Sequence, residues 1–272
     1  MATAWQKISL EKILKGDIKI LKPYQDFVSE ILSVFEEFVL YGGYPRPSIK
    51  ENSSIRGELL AEIRDQYARR DVRDILNIEN VAGFNRLIGI LAAQIGNLVN
   101  IDELASSSHL NRQTVEKYIF LLEETFIIKT VLPYFKNSRQ ELIKMPKIYF
   151  ADTGLRNLLI EQLSMQGLEL RLDKGALVEN TLMHQLQILD WPIRFWRTKT
   201  KTEVDFIITA PNGDNIPIEV KYQPMSKPNI PSGIVSFVKK YKPPYAFVAT
   251  KDYFGQTVFQ STPVFFAPVM FF

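Results

Sequence analysis

Three charged side chains, Asp205, Glu219 and Lys221, lie on either side of a Pro-Asn-Gly stretch at residues 211–213. Apolar and polar residues alternate in both flanking segments, which is typical of β-strands with one buried face. Proline, asparagine and glycine favour a tight turn between the two strands. The sequence therefore predicts a β-hairpin that carries two carboxylates and a lysine.

The register of this hairpin decides whether the three groups can meet. If residues 211–213 form a three-residue loop with its glycine in the left-handed conformation, Asp205 faces Glu219. Lys221, two residues further along the strand, then lies on the same face. A two-residue loop would slip the register by one residue and turn Glu219 to the opposite face. The predicted site depends on the longer loop.

Two facing carboxylates repel each other, so their position between apolar neighbours favours a compensating cation. Mg²⁺, for which Mn²⁺ can substitute, is usually bound by one or two carboxylates together with substrate phosphate. Asp205 and Glu219 are therefore candidate ligands of a divalent metal ion. The simpler alternative is the solvated face of an edge hairpin, on which these charges have no chemical role.

A third carboxylate, Glu179, lies in a predicted helix at residues 174–189. It falls within the apolar stripe of that helix, which consists of Val178, Leu182, Met183, Leu186 and Leu189. A carboxylate on a packed helix face is seldom buried without a partner. Glu179 is therefore a further candidate for the same site.

The order of elements in this region follows a recognisable pattern. A helix with Glu179 precedes predicted strands at Ile193–Arg197, Glu203–Thr209 and Ile216–Lys221. This order resembles the PD-(D/E)xK nuclease core, which has the restriction-endonuclease-like fold. The resemblance implies metal-assisted hydrolysis of phosphodiester bonds in DNA.

The resemblance also implies a role for each candidate residue. Asp205 and Glu219 would ligate Mg²⁺, and Glu179 would complete the metal shell or orient a water molecule. Lys221 would stabilise the attacking hydroxide or the negative charge that develops on the phosphorane. Glu203 is predicted on the same face and could replace one of the ligands. The catalytic candidates are thus three carboxylates and one lysine.

Six short motifs in order resemble the successive signatures of the DUF4143 region of prokaryotic AAA-type ATPases, from about residue 35 to about residue 225. The motifs are Tyr41-Gly-Gly-Tyr-Pro45, the run at residues 70–74, residues 146–155, residues 175–180, Glu203-Val-Asp205-Phe206 and Ile218-Glu219-Val-Lys221. Members usually carry an N-terminal ATPase domain with a Gly-x-x-x-x-Gly-Lys-Ser/Thr phosphate loop. No such string occurs in these 272 residues, so we expect a fragment or a gene without the motor, and we assign no nucleotide hydrolysis.

Residues 84–150 carry a second pattern. The predicted elements are helices at residues 84–95, from residue 101 and at residues 112–124, followed by strands at residues 126–132 and 144–150. Asn111 is the predicted N-cap of the last helix, and the helix spacing is typical of a helix-turn-helix. The polar stretch at residues 136–141 suits a wing between the strands. The pattern predicts a winged helix.

Two sets of side chains are candidates for DNA contact. Arg112, Gln113 and Lys117 lie at the start of the second helix of the predicted helix-turn-helix, where base edges or phosphates can be reached. Three glutamates weaken the attraction of that helix for phosphate, and winged helices often bind proteins instead. Lys199 and Lys201, beside the nuclease-like core, are better placed to bind a phosphate backbone. Ordinary solvated surface lysines are the alternative.

Length and composition favour a multidomain α+β protein. At 272 residues, of which 46% are hydrophobic, the chain can form more than one sizeable core. We predict a helical part at residues 1–80, a winged-helix domain at residues 81–165 and a restriction-endonuclease-like domain at residues 166–272. An ATPase domain or a separate ATPase is the expected protein partner.

Composition also excludes several classes of site. The chain has no cysteine, which excludes disulfides, thiolate zinc sites and cysteine nucleophiles, and its two histidines are too few for a zinc-hydrolase cluster. A net charge of +3 is compatible with nucleic acid. The uncharged tail at residues 253–272 contains glycine and prolines, which predicts closing strands and no membrane span. No signal peptide is indicated, so we expect a cytoplasmic prokaryotic protein.

Two alternatives to an active nuclease stay open at this stage. One is a nuclease-like domain that binds DNA or docks to a protein without turnover, coupled to an AAA-type ATPase. The other is an interaction scaffold in which Lys221 and a neighbouring arginine hold the carboxylates in a structural ion network. The sequence leaves the substrate form and the oligomeric state open.

Overall fold

The computed structural model describes residues 10–50, 52–66, 78–135, 145–163 and 168–272. It has a mixed α+β architecture with two compact units, each built from separate stretches of the chain. We call the first the sheet unit, which comprises Met1–Phe35, Val131–Lys144 and Thr181–Phe272. The second, the helical unit, comprises Glu36–Thr130 and Met145–Asn180. The division into three consecutive domains remains a prediction.

The described residues contain the helices that the sequence predicts and further helices at residues 45–48, 153–159 and 232–241. They are α1 (Val28–Tyr41), α2 (Pro45–Ser48), α3 (Ser53–Gln66), α4 (Val81–Ala93), α5 (Ile101–Ser108), α6 (Arg112–Glu124), α7 (Thr153–Leu159), α8 (Lys174–Leu186) and α9 (Ser232–Tyr241). The strands are β1 (Ile128–Val131), β2 (Lys147–Phe150), β3 (Ile193–Arg197), β4 (Glu203–Thr209), β5 (Asn215–Lys221), β6 (Ala246–Thr250), β7 (Gly255–Phe259) and β8 (Thr262–Pro268).

Two predicted helix bounds differ from the structure. The sequence pattern predicts one helix over residues 21–40, but Ile18–Phe27 forms a 3₁₀ helix and the α-helix begins only at Val28. Pro23 explains the change, because proline lacks an N–H donor and clashes with the preceding turn of an α-helix. The sequence pattern also predicts a helix over residues 54–76. It is described as far as Gln66, and its last ten residues lie outside the described part of the chain.

The sheet unit is built on a six-stranded mixed sheet with the order β3-β4-β5-β6-β8-β7. Strands β3, β4 and β5 are antiparallel neighbours, and β6 is parallel to β5. A parallel neighbour requires a crossover connection, and α9 lies in the chain between β5 and β6. One core cluster joins α9 and the sheet and includes Val204, Ile207, Phe237, Val248 and Phe266.

The apolar tail completes this sheet. β8 is parallel to β6, and β7 pairs antiparallel with β8 at the edge. The prediction that residues 253–272 form closing strands is therefore confirmed. None of the described helices is both long enough and apolar enough to cross a membrane.

The helical unit contains a helix-turn-helix followed by a two-stranded sheet. Helices α5 and α6 are separated by three residues, and the C-cap of α5, His109, adopts the left-handed conformation with a φ of 56°. The side chain of Asn111 accepts a hydrogen bond from the Thr114 N–H at 2.8 Å, which confirms the predicted N-cap. β1 and β2 form the sheet. The predicted wing at residues 136–141 lies outside the described residues.

Two of the family-like motifs contact each other in the helical unit. Gly42 has a φ of +74°, and the N–H of Gly43 donates to a carboxylate oxygen of Asp152 at 2.8 Å. The other oxygen of Asp152 caps α7 by accepting from the Leu155 N–H. A Cβ at Gly154 would lie 2.0 Å from the Tyr41 carbonyl oxygen, so only glycine permits this approach.

A buried ion network holds the middle of α7. Arg156 is 1% exposed; its guanidinium donates to the Ala92 carbonyl and, at 2.6 Å, to Asp173. Arg171 also donates to Asp173, through two nitrogens. Burial alone would raise the pKa of Asp173, but the hydrogen bonds from Arg171 and Arg156 outweigh it and lower that pKa to about 2.

This lowered pKa predicts an acid-sensitive contribution to stability. An unfolded aspartate titrates near the ordinary value of 3.8, so Asp173 stabilises the fold above that pH and loses the contribution as the pH falls towards about 2. Between pH 5 and pH 3 we expect the wild type to lose about 1 kcal/mol more unfolding free energy than Asp173→Asn. Urea unfolding at the two pH values measures the difference, and parallel losses in both proteins would contradict the prediction.

Candidate functional site

The turn between β4 and β5 is the three-residue loop on which the site depends. The Gly213 N–H donates to the Ala210 carbonyl at 2.8 Å, and the Ala210 N–H donates to the Asp214 carbonyl at 2.9 Å. Gly213 has a φ of +87°, in the left-handed region that favours glycine. The predicted loop length and glycine conformation are confirmed.

The strand register follows from this loop. Phe206 pairs with Ile218, and Thr209 pairs with Asn215, which is the register that a three-residue loop requires. The paired residues end at Phe206 and Ile218, and the predicted facing of Asp205 and Glu219 lies one position beyond them. The alignment of the two carboxylate residues stays a prediction.

A β-bulge, which the sequence pattern did not predict, interrupts β4 at the site. Arg194 pairs with Ile207 and Trp196 pairs with Val204, so two steps along β3 correspond to three along β4. Between these two pairs β4 has two residues, Asp205 and Phe206, where β3 has one. A bulge bends its strand and changes the direction of a side chain. It explains why Val204 and Ile207, three positions apart, both reach the core beneath α9.

Asp205 holds the neighbouring strand through its side chain. One carboxylate oxygen, Oδ2, accepts a hydrogen bond from the Val220 N–H at 2.7 Å, in place of a backbone carbonyl. Asp205 is partly buried. The bond fixes the position of this carboxylate between β4 and β5, one residue from Glu219.

Glu219 is the most buried carboxylate of the candidate site, with 7% of the residue exposed. Its Oε1 accepts a hydrogen bond from the Lys221 Nζ at 2.7 Å, and the lysine side chain is 39% exposed. Its Oε2 is turned towards the start of α9, 3.1 Å from the position that a Cβ of Gly233 would occupy. The N-terminal end of a helix favours negative charge, and the Glu219 carboxylate lies at this end of α9.

Glu203, the predicted substitute ligand, has a cation beside it. It pairs across the strands with Arg197, whose guanidinium lies 3.4 Å from the carboxylate. Both side chains are partly buried. This pair is an arginine–carboxylate contact of the kind that a structural ion network would contain.

Glu179 has its described partners in the helical unit. Its Oε1 accepts hydrogen bonds from the Lys147 Nζ at 3.0 Å and from the Tyr149 hydroxyl. Lys147 is 2% exposed, so this is a buried ion pair. The adjacent Asn180 bonds both backbone groups of Phe150. The Glu-Asn pair of α8 and the Lys-Ile-Tyr-Phe strand are both visible in the sequence. The sequence does not indicate that these two distant segments contact each other.

Metal ligation is not established by side-chain clustering. In the part of the chain that the structure describes, no three or more His, Asp or Glu side chains group as a metal site. Ligation of Mg²⁺ or Mn²⁺ by Asp205, Glu219 and Glu179 remains a prediction. The carboxylate of Asp205 bonds the backbone N–H of Val220, the residue after Glu219, and two carboxylates suit a hard divalent ion.

The candidate DNA-binding side chains have different surroundings. Arg112 donates to Asp102 at 2.6 Å and to Glu116 at 3.0 Å, and the hydrogen bond to Asp102 raises the pKa of its guanidinium. Gln113 and Lys117 are exposed on the same helix, α6. The positive charge of Arg112 is thus balanced by two carboxylates, which reduces its attraction for phosphate.

Lys199 and Lys201 are exposed in the turn between β3 and β4. The turn is closed by a hydrogen bond from the Thr198 N–H to the Thr202 carbonyl and by one from the Thr202 N–H to the Thr198 hydroxyl. Lys201 has a φ of 65°. Two lysines are therefore presented on an internally bonded turn, four and six residues before Asp205.

Comparison with known families divides the chain in two. Residues 174–266 match the family model described as Domain of unknown function (DUF4143). Residues 32–166 match a second model, Domain of unknown function (DUF8612). These two matches replace the single DUF4143 resemblance predicted over residues 35–225. The motifs at Tyr41 and Asp152 fall in the DUF8612 match. Glu179, Asp205 and Glu219 fall in the DUF4143 match.

Curated relatives are themselves uncharacterized. An uncharacterized protein of Mycobacterium tuberculosis is 30% identical over 182 residues, which cover 65% of this chain and 40% of that protein. One of Methanocaldococcus jannaschii is 23% identical over 198 residues, covering 70% of this chain and 42% of that protein. The chain thus spans about 40% of the length of these relatives. No solved structure matches it.

The close approach of α9 to the site gives a testable consequence. A Cβ at Gly233 would lie 1.8 Å from the Glu203 carbonyl oxygen, so Gly233→Ala must push α9 away from β4. We expect a loss of about 1–3 kcal/mol in unfolding free energy, the usual cost of overpacking. Gly89→Ala is the matched control, because Gly89 lies in α4 with nothing within 4 Å of its Cβ position.

The control substitution should be neutral or stabilise by up to about 1 kcal/mol, since alanine favours helix over glycine. Urea unfolding of both variants measures the difference. Equal stabilities of the two variants would show that α9 is not held against β4 as described.

Proposed function

We propose that the sheet unit is a nuclease-like domain that hydrolyses phosphodiester bonds in DNA with Mg²⁺ or Mn²⁺. The observation that carries the proposal is the grouping of charged side chains on this hairpin: Asp205 accepts from the Val220 N–H, next to Glu219, and Lys221 donates to Glu219. Facing carboxylates are unfavourable in an ordinary sheet unless a cation compensates them. A functional site gives a reason for such an arrangement.

The element order supports the same proposal. Helix α8 is followed by the antiparallel strands β3, β4 and β5, then by α9 and the parallel strand β6. This is the order that a restriction-endonuclease-like fold implies, with both carboxylates and the lysine on the central hairpin. In the helical unit, α5, α6 and the β1–β2 sheet support a winged-helix assignment.

The residues present fit a divalent ion. Asp205 and Glu219 supply hard oxygen donors, and the ammonium group bonded to Glu219 is itself a cation at this position. When bound, the ion would polarise the phosphodiester and lower the pKa of a water molecule. Two carboxylates suffice for Mg²⁺ together with water and phosphate, so the proposal does not require Glu179.

The protein groups would then act by position and charge. The bond from the Val220 N–H holds Asp205 in place, and α9 supports the negative charge of Glu219. Lys221 would place its positive charge near the attacking hydroxide and the negative oxygens of the phosphorane. Its partly exposed side chain can reach a substrate that approaches from solvent.

DNA binding in this proposal relies mainly on the hairpin lysines. Lys199 and Lys201 are exposed, and Lys201 lies within about 13 Å of Asp205 along the strand, given a rise of about 3.3 Å per residue. A phosphate backbone bound at the site could extend over them. Arg112 is engaged by two carboxylates, so α6 is the weaker candidate surface.

A second candidate function is a nuclease-like module without turnover that binds DNA or docks to an AAA-type ATPase. It is favoured by the protein partners of the site carboxylates, since Asp205 bonds β5 and Glu219 bonds Lys221. Phe120 and Phe126 are 60% and 82% exposed in the helical unit, which also suits contact with a protein. Activity measurements distinguish the two candidates.

Asp205→Asn separates catalysis from folding and binding. The amide oxygen of asparagine can still accept from the Val220 N–H, so the fold should be kept while the negative ligand is removed. We expect Mg²⁺-dependent cleavage of plasmid DNA to fall by about 100-fold or more, with DNA binding in Ca²⁺ close to wild type. Undiminished cleavage would assign the activity to another site, and absence of cleavage in the wild type would favour the module without turnover.

A pair of double variants identifies the DNA-binding surface. Lys199→Glu/Lys201→Glu should weaken DNA binding and reduce the slope of log affinity against log salt by about one for each phosphate that the variant no longer binds. Arg112→Glu/Lys117→Glu makes the same change of net charge on α6 and should have the smaller effect. The reverse order would transfer DNA binding to the helix-turn-helix.

A further inference from the structure

Lys221 occupies the position of a cation at the buried carboxylate of the site. Its Nζ lies 2.7 Å from Glu219 Oε1, and Glu219 is 7% exposed. The two groups form an ion pair within the hairpin strand β5. The ammonium group therefore neutralises a carboxylate that the proposed function assigns to a metal ion.

A metal ion from solvent cannot reach the second carboxylate oxygen of Glu219 more easily than the oxygen bonded to Lys221. Oε2 is buried and is turned towards Gly233 at the start of α9, where a Cβ would lie only 3.1 Å away. Oε1 is on the side of Lys221, whose side chain is 39% exposed. A cation from solvent consequently meets the oxygen that already accepts from the lysine.

We propose that Lys221 competes with the divalent ion for Glu219 and that metal binding displaces it from that carboxylate. This inference rests on the proposed function and adds a competition step to it. Two cations at one carboxylate oxygen repel each other, so occupancy by metal and by the ammonium group is mutually unfavourable. The lysine stem is flexible and partly exposed, which allows the head group to leave.

Displacement of Lys221 by the metal ion couples metal binding to the action of Lys221 on the substrate. While the metal is absent, the positive charge of Lys221 is used to stabilise Glu219. Once the metal neutralises Glu219, the same ammonium group becomes available to the phosphodiester oxygens. Lys221 thus acts on the substrate only in the metal-loaded protein, which limits its contact with DNA phosphate before the site is complete.

Mn²⁺ binding to the full chain without DNA tests the competition by titration calorimetry. Lys221→Met keeps the length of the side chain without its charge, and we expect it to bind Mn²⁺ about three- to tenfold more tightly than wild type. Lys221→Arg keeps a cation and should remain close to wild type. Lys227→Met is the matched control, because it removes the charge of an exposed lysine in the same unit.

The outcomes separate this inference from the proposed function. Equal or weaker Mn²⁺ binding in Lys221→Met, with binding abolished by Asp205→Asn, overturns the competition and leaves the metal site standing. No Mn²⁺ binding in wild type or in Lys221→Met overturns both. If Lys221→Met does not fold, Lys221→Gln replaces it. Thermal unfolding gives a second readout: Mn²⁺ should raise the Tm of Lys221→Met more than that of wild type.

Discussion

The length of one turn sets the geometry on which the candidate site depends. Gly213 adopts a left-handed conformation, the loop has three residues, and every pair along β4 and β5 follows from it. Side chains alternate between the two faces of a strand, so a loop shorter by one residue would separate Asp205 and Glu219. A backbone preference of glycine thus sets the register on which the predicted alignment of the two carboxylates depends.

The surroundings of these carboxylates balance charge and burial. The Val220 N–H and the Lys221 ammonium group compensate the cost of placing Asp205 and Glu219 among apolar neighbours. Helix α9 approaches closely because Gly233 has no side chain, and its N-terminal end favours a negative charge. These same contacts would serve a structural ion network and a metal site, which is why binding and activity must be measured separately.

The helical unit uses its polar groups in another way. Arg156 and Arg171 share the carboxylate of Asp173, and Lys147 and Tyr149 pair with Glu179. Several of the short motifs that resemble a family therefore have a structural explanation: they supply glycines for close approach and partners for buried charges. Motif resemblance alone does not separate such residues from catalytic ones.

The sequence by itself determined the local features of this protein. The bounds of β3 and β4, the Gly213 loop, the Asn111 cap and the closing strands follow from alternation, turn composition and capping preference, which act over a few residues. The tertiary structure decided the rest. The bulge at Asp205, the contact of Gly233 with β4 and the pairing of Glu179 with Lys147 depend on segments distant in sequence, and no local pattern specifies which distant group a buried charge will meet.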